Sequence, residues 1–446
     1  MPYTSPTLQQ AVDAVAARLS DGAFVRWTQA ELVLYIGEAL RTWSAWTQSY
    51  RARGVADLAT MTAIYDLPTL FPALRAYTVT DRDLITLLQY HLLEPPTPTA
   101  WTGSQQFTLA DLTLAIQRRR DQFLLETGVV VTPQTYPSPP PPQSRVVLAE
   151  PTIAVRRAAW SSTSAWITPL RREDDWGTVH YRDHAPQQPQ RPPAAYTVSA
   201  TPPLTLQLAP PPSDTGQLLL LAITRGSELS PATRATVLGI PDDWAWVVKW
   251  GALADILAKD GLAPDPSRSA YAEARWREGI AMAQAAAVVL TARINNVVCG
   301  ISSLLDADRY TPTWQTVPGV PRRVLTLGQN LLGCWPPPGV PVAGGTWALT
   351  MDLVANWPVP AGLADPLGVG GEVYDAIVDY AQHLALVKEG AAQLQNSLAL
   401  VQRAAAVAGV VVDVQQASQP ARRPLLGQST RDQQTSAYRT PAEPVP

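Results

Sequence analysis

Apolar residues return every three to four positions near the start of the chain: Leu32, Ile36, Leu40 (or Ala39), Trp43 and Tyr50 fall on one face of a long helix. Such a face needs a partner. Val12, Val15 and Leu19 of a short preceding helix can supply it, as can Leu84, Leu87, Leu88 and His91 of a helix opened by Thr80-Asp81-Arg82-Asp83. The pattern has an echo: Trp27 to Ile36 recurs 80 positions later as Phe107 to Ile116, with a further aromatic at the same offset, Trp43 and Phe123. Each copy contains Thr-x-x-acid, a helix start in which hydroxyl and carboxylate satisfy the first free amides, and the aromatic before it can act as a staple.

Strand composition follows at Val146-Val147-Leu148, Ile153-Ala154-Val155, Tyr196-Thr197-Val198, Leu204 to Leu208 and Leu218 to Ile223. Helical periodicity resumes at Asp242, where Ile240-Pro241-Asp242 reads as a strand exit and N-cap. The helix to Lys259 has apolar residues on more than one side, including Trp244 and Trp250, and should be covered on two faces. Arg268 to Ala292 reads as the next helix, and a later pair runs from about Glu372 to Lys388 and Ala391 to Ala408. Gly216/Gly345, Lys259/Lys388 and Gly261/Gly390 all lie 129 positions apart, while the Pro210 and Pro336 triplets lie 126 apart. These spacings predict that 204–292 and 327–409 share one strand-then-two-helix arrangement.

Proline punctuates the chain. Pro137 to Pro142 should stop helix formation and mark a boundary, and 186–193 reads as a polar arm. The expected class is α+β: helical bundle regions with inserted β-strand layers, a duplicated strand-helix-helix unit in the second half, and extended Pro-rich arms. The expected division is 1–132 (helical, with the internal echo), a linker at 133–145, 146–300 (β layer plus helix pair), 301–414 (the second strand-helix-helix unit) and an arm at 415–446. The arm offers only Leu425 and Leu426 as an adjacent aliphatic pair and cannot build a core. With Arg422 and Arg423 they form a candidate interface, two charges to set register and two leucines to bury.

Composition removes several function classes. A formal charge of −3, with lysine only at 249, 259 and 388, gives no clustered positive surface to grip nucleic acid. The run Arg118-Arg119-Arg120 reads as a solvated or ion-paired helix face. The N-terminus lacks the pattern of a secretory signal, and the most apolar helical stretch, Ile280 to Ala292, is too interrupted to span a membrane, so no membrane partner is expected. Cys299 and Cys334 suit buried small apolar positions better than a disulfide or zinc site.

Motifs for catalysis are missing. Gly368-Val369-Gly370-Gly371 has no lysine or hydroxyl to hold phosphate and reads as a loop with left-handed glycine. His180 and His184 sit among prolines, and the pairs Asp174-Asp175 and Asp242-Asp243 do not flank a substrate. No enzyme activity, metal or cofactor is expected. The 15 tryptophans could stack sugars, yet Trp43, Trp46, Trp244, Trp250 and Trp276 take helical core positions.

Trp27-Thr28-Gln29-Ala30-Glu31-Leu32 through Leu40, a later strand layer ending in Pro210-Pro211-Pro212 and Gly216-Gln217-Leu218, and Ile240 to Trp244 opening a helix together resemble head-to-tail connector and neck (adaptor) proteins of tailed bacteriophages. The resemblance covers about residues 5–60 and 196–290; the chain departs from it in length, in the duplicated unit and in the region 60–195. It implies a helical bundle with a strand insertion, assembled as a homo-oligomeric ring below the portal. The expected role is a structural virion protein of the neck or proximal tail, made in the host cytoplasm. Its partners would be itself, the portal, and tail or fibre proteins, with genomic DNA only as passing cargo. The alternative is a glycan-binding virion or fibre-anchoring protein that uses exposed tryptophans.

Overall fold

A computed structural model of the chain describes residues 5–94, 106–140, 143–162, 167–173, 192–199, 203–213, 215–233, 235–259, 265–341 and 345–410. Asp174-Asp175, His180, His184, most of the 186–193 stretch, Gly261 and the tail with Arg422, Arg423, Leu425 and Leu426 lie outside the described residues.

The helix starts expected at Thr28, Thr80 and Thr108 are used as such. Thr7 caps α1 (Leu8–Arg18) in a box with Gln10, and Thr28 caps α2 (Gln29–Thr47). Two strands follow, β1 (Arg51–Leu58) and β2 (Ile64–Asp66), then a single turn α3 (Leu67–Leu70). A second set then begins. Thr80 and Asp83 form the box that opens α4 (Asp81–His91), and Thr108 and Asp111 the box that opens α5 (Leu109–Thr127). The strands β3 (Thr132–Pro137), β4 (Arg145–Val147), β5 (Thr152–Ser162), β6 (Ile167–Pro169), β7 (Arg171–Arg172), β8 (Ala195–Val198), β9 (Thr205–Ala209) and β10 (Gly216–Thr224) come next. A 3-10 turn at Asp242–Trp244 leads into α6 (Ala245–Leu257), paired with α7 (Pro266–Ala285). The chain continues through β11 (Val289–Ile294), β12 (Val297–Ser302), α8 (Leu304–Tyr310), β13 (Arg323–Leu327), β14 (Leu331–Trp335), β15 (Trp347–Val354), α9 (Gly371–Val387) and α10 (Ala391–Val407).

Strand pairing shows that the second set is nested inside the first. One sheet has the order β1-β15-β11-β12-β13-β14-β2, joining strands from both ends of the chain. The inserted strands form β3-β10-β5-β6 and β4-β9-β8-β7. Every neighbour relation of the first sheet has a counterpart of the same sense in the inserted pair. β1/β15 matches β3/β10, β11/β15 matches β5/β10, and β11/β12 matches β5/β6, all antiparallel. The parallel pair β12/β13 matches β7/β8, and the antiparallel pairs β13/β14 and β14/β2 match β8/β9 and β9/β4. The counterpart of β12 is broken at Leu170 into β6 and β7 in the inserted copy, which opens one sheet into two that face each other over Trp160, Tyr196, Leu206 and Leu218.

Helices and loops repeat in the same way. Leu8 N–H donates to Asp365 O and Leu367 N–H to Pro6 O; in the inserted copy Asp81 N–H donates to Thr236 O and Leu238 N–H to Val79 O. Gly368 and Gly239 both have φ +71°, one residue past these bridges, where a side chain would be strained. The molecule is thus two copies of one helical bundle with a strand insertion: an outer unit, and an inner unit placed between α3 and β11.

This arrangement is α+β, as expected, and it corrects the sequential division. Residues 1–132 are not a separate helical region, because β1 and β2 complete a sheet with 289–354. Residues 133–145 are not simply a linker: Thr132–Pro137 is an edge strand, a place where prolines are tolerated because no donor is needed there. The strand, strand, helix, helix order does repeat, as β9-β10-α6-α7 and β14-β15-α9-α10, with cis bonds at Ala209-Pro210 and Trp335-Pro336. The expected helix to Ala292 ends at Ala285, since 289–294 pairs with β15. Asp242 does not cap its own helix; its carboxylate accepts from Thr78 N–H and Val79 N–H at 2.7 and 3.0 Å and from the Thr78 hydroxyl.

Candidate functional site at the joint between the units

The two bundles share one core, and α2 of the outer unit lies against α4, α6 and α7 of the inner one. Polar and aromatic side chains from both units meet there. Glu38 of α2 accepts from the Lys249 ammonium of α6 at 2.6 Å, both buried. Burial brings Lys249 down to about 8 against the opposing pull of Glu38, so at neutral pH it remains a cation and a donor. It therefore donates to His91 Nε2 at 3.2 Å, which leaves the imidazole neutral with its proton on Nδ1. Burial first, and the Lys249 charge second, hold His91 well below the ordinary histidine range. The Lys249 ammonium also sits 3.7 Å from the centre of the Trp250 ring.

A second chain of bonds crosses from α7 to α9 and α10. Ser397 Oγ donates to Leu394 O, so it must accept from His383 Nδ1 at 2.9 Å. His383 Nε2 then accepts from the Tyr271 hydroxyl at 2.8 Å. Burial, with the Arg275 charge adding to it, holds His383 down to about 3, which agrees with this neutral tautomer. Arg275 of α7 donates to Tyr380 of α9 at 3.0 Å, pairs with Glu278, and lies over the rings of Trp46 and Trp246. Trp46 of α2 donates to Glu278 at 3.1 Å. A third tie is made by the turn between β13 and β14. Gln329 accepts from Trp244 Nε1, and Asn330 exchanges two bonds with the backbone of Val131.

The chemistry of this joint is cohesive. The Ser397 hydroxyl proton is committed to a carbonyl, and both Ser397 and His383 are fully buried, so the pair is not poised for nucleophilic attack. Among the described residues no group of three His, Cys, Asp or Glu could hold a metal. Cys299 and Cys334 are buried and free, and burial pushes the Cys334 thiol up to about 12.

The arginine run resolves into three environments. Arg118 is exposed; Arg119 pairs with Asp255 and Glu273; Arg120 is buried and donates to Ser227 O and Gly226 O. An open hollow of ≈ 610 Å³ is lined by Tyr310, Arg322, Arg323, Trp335 and Pro336, with the Arg323 guanidinium 5.0 Å from the Trp335 ring centre. Sequence reading found the lysine spacing and the helix faces, but not these partners. The signal available was Lys249 itself, a lone cation in an otherwise apolar stretch from Ala245 to Ala254. The chain matches no protein-family model and no curated protein.

Proposed function

We propose that this chain is a structural virion protein of the phage neck or proximal tail, whose copies form an oligomeric ring that joins the portal to the tail. The nested duplication carries this reading: one helical bundle with a strand insertion occurs twice, and the two copies are held by a contact that uses different faces on each. A block of that kind suits ring assembly, because a head-to-tail contact that is repeated closes when its rotation divides the circle. A charge of −3 suits a channel through which DNA passes without being gripped. Among the described residues no helix is long and apolar enough to cross a membrane.

The glycan-binding alternative gains no support. Every described tryptophan is buried or half-buried, and in the hollow that Trp335 lines, the indole face is covered by Arg323. Negative-stain microscopy of the purified chain tests the proposal. Closed rings with a central channel are expected, and single particles at all concentrations would overturn it.

A further inference from the structure

We infer that the free edge of β1 is the docking site for a second copy of this chain, the β1 strands of the two copies pairing antiparallel about a two-fold axis. The inference goes beyond the ring reading, because a two-fold contact closes on itself and joins one chain, or one ring, to another. β1 ends its sheet, with β15 on one side of it. Ala355 N–H donates to Tyr50 O at 3.0 Å, and the same register sets Arg51 opposite Val354. Backbone groups of an antiparallel ladder alternate sides, so Ala52, Gly54, Ala56 and Leu58 turn theirs to β15, while Arg51, Arg53, Val55 and Asp57 turn theirs outward. Among the described residues no hydrogen bond engages those outward N–H groups and carbonyls. The other sheet edges are short or guarded. β2, β4 and β6 have 3 residues each and β7 has 2. β3, the counterpart of β1 in the inner unit, carries Pro133 and Pro137, which have no N–H to give. β1 has 8 residues and no proline, and an edge of that kind is a template for another strand.

The strand is complementary to itself. With Gly54 opposite the partner's Gly54, Arg51 faces the partner's Asp57, Arg53 faces the partner's Val55 and Ala52 faces the partner's Ala56, and the two-fold axis repeats each of these. The outward-turned residues are then the ones that meet, and together they exchange about eight hydrogen bonds. Both charges are available. Arg51 and Asp57 are exposed and belong to no ion pair among the described residues, Asp57 accepting from the Thr346 hydroxyl at 3.2 Å. Arg53 stays with Asp352 at 2.8 Å, and its stem lies beside the partner's Val55, a residue 68% exposed in the single chain. A shift of two residues in either direction is worse. One sets Arg53 against the partner's Arg53; the other takes Arg53 from Asp352 to meet the partner's Asp57 and leaves Arg51 past the partner strand's end.

The test uses the full chain, read by sedimentation velocity with circular dichroism and melting as controls of folding. Arg51→Asp and Asp57→Arg should each weaken pairing ~10-fold, because each sets like charges opposite one another on both sides of the axis. The two substitutions in one chain, or an equimolar mixture of the two single variants, should restore it. Val55→Pro removes an outward N–H that the single chain leaves unpaired, so melting should hold while pairing is lost. Pairs that the single variants leave as tight as wild type, or a folded double variant that stays weak, would sink the edge contact. Closed rings without two-fold pairs would also sink it and leave the ring reading standing, whereas pairs that respond as expected without rings would do the reverse. A wild-type chain that is monomeric at all concentrations would overturn both.

Discussion

Lys388 and Lys259 occupy equivalent places, and each reaches the acid at the start of the equivalent helix, Glu31 or Asp111, at 2.8 and 2.9 Å. Only their burial differs, with side-chain exposures of 7% and 2% in the first pair and 54% and 34% in the second. Removing the cation from the buried pair strands a carboxylate, so Lys388→Met should cost about 3–5 kcal/mol. Lys259→Met should cost about 1 kcal/mol or less. Urea midpoints of the two variants make the comparison within one molecule. The buried imidazoles set an acid limit. His383 is held near 3 in the folded chain against an ordinary 6.5, so the unfolded chain binds more protons between those values. Its contribution is intact above 6.5 and is lost as pH falls, at about 1.4 kcal/mol per pH unit. Asp243, pushed up to about 7 by burial, acts with the opposite sign between 3.8 and 7. Comparing wild type with His383→Gln removes that background: the variant's loss of stability between pH 6 and 4 should be shallower by about that slope.

Helix α6 is buried on nearly every side, which is why its apolar residues do not confine themselves to one face. Trp250 is fully buried, with Tyr271 edge-on to it and His91 close by. Trp250→Ala should therefore cost about 3–5 kcal/mol through the cavity left behind, seen as a lower denaturation midpoint and reduced soluble yield. The crossing of α6 on α7 depends on two glycines. A Cβ on Gly279 would come within 2.4 Å of Val247, and one on Gly251 within 2.6 Å of the Trp276 ring. Val247 is branched at Cβ and the indole is wedged beneath Arg119, so neither neighbour yields easily. Gly279→Leu should lower stability by about 1–3 kcal/mol despite its better helix propensity, and a melting curve is sufficient to show it.

At the scale of the molecule, the two bundles share a single helical core, so they should unfold together. Tryptophan fluorescence and far-ultraviolet dichroism are expected to report coincident transitions; two separated transitions would mean that the units are independent. We propose that the tail from Gln415 to Pro446, which offers only Leu425 and Leu426 as an adjacent aliphatic pair, is a partner-binding arm. Deleting 415–446 should leave the body's melting unchanged and impair assembly or partner recruitment. Normal rings after the deletion would exclude an arm role for Arg422, Arg423, Leu425 and Leu426.

Much of this was legible in the chain. Helix caps at Thr28, Thr80 and Thr108 work at short range, so a four-residue window contains the donors and acceptors that form them. The offsets of 80 and 129 positions already related Glu31 to Asp111 and Lys259 to Lys388, both ends of the repeated ion pair. The two-sided apolar pattern of α6 announced a helix covered twice. What covers it was settled only by the tertiary structure. Periodicity reports that a face is apolar and says nothing about its partner, and the pairing that places Arg51 opposite Val354 lies far outside any local window. For the same reason the nesting of one unit in the other was hidden: the echoes were read in chain order, whereas hydrogen bonding closed the outer sheet around the whole inner copy. The neutral tautomers of His91 and His383 were likewise decided by folding, since only the assembled core removes water and fixes which neighbour donates.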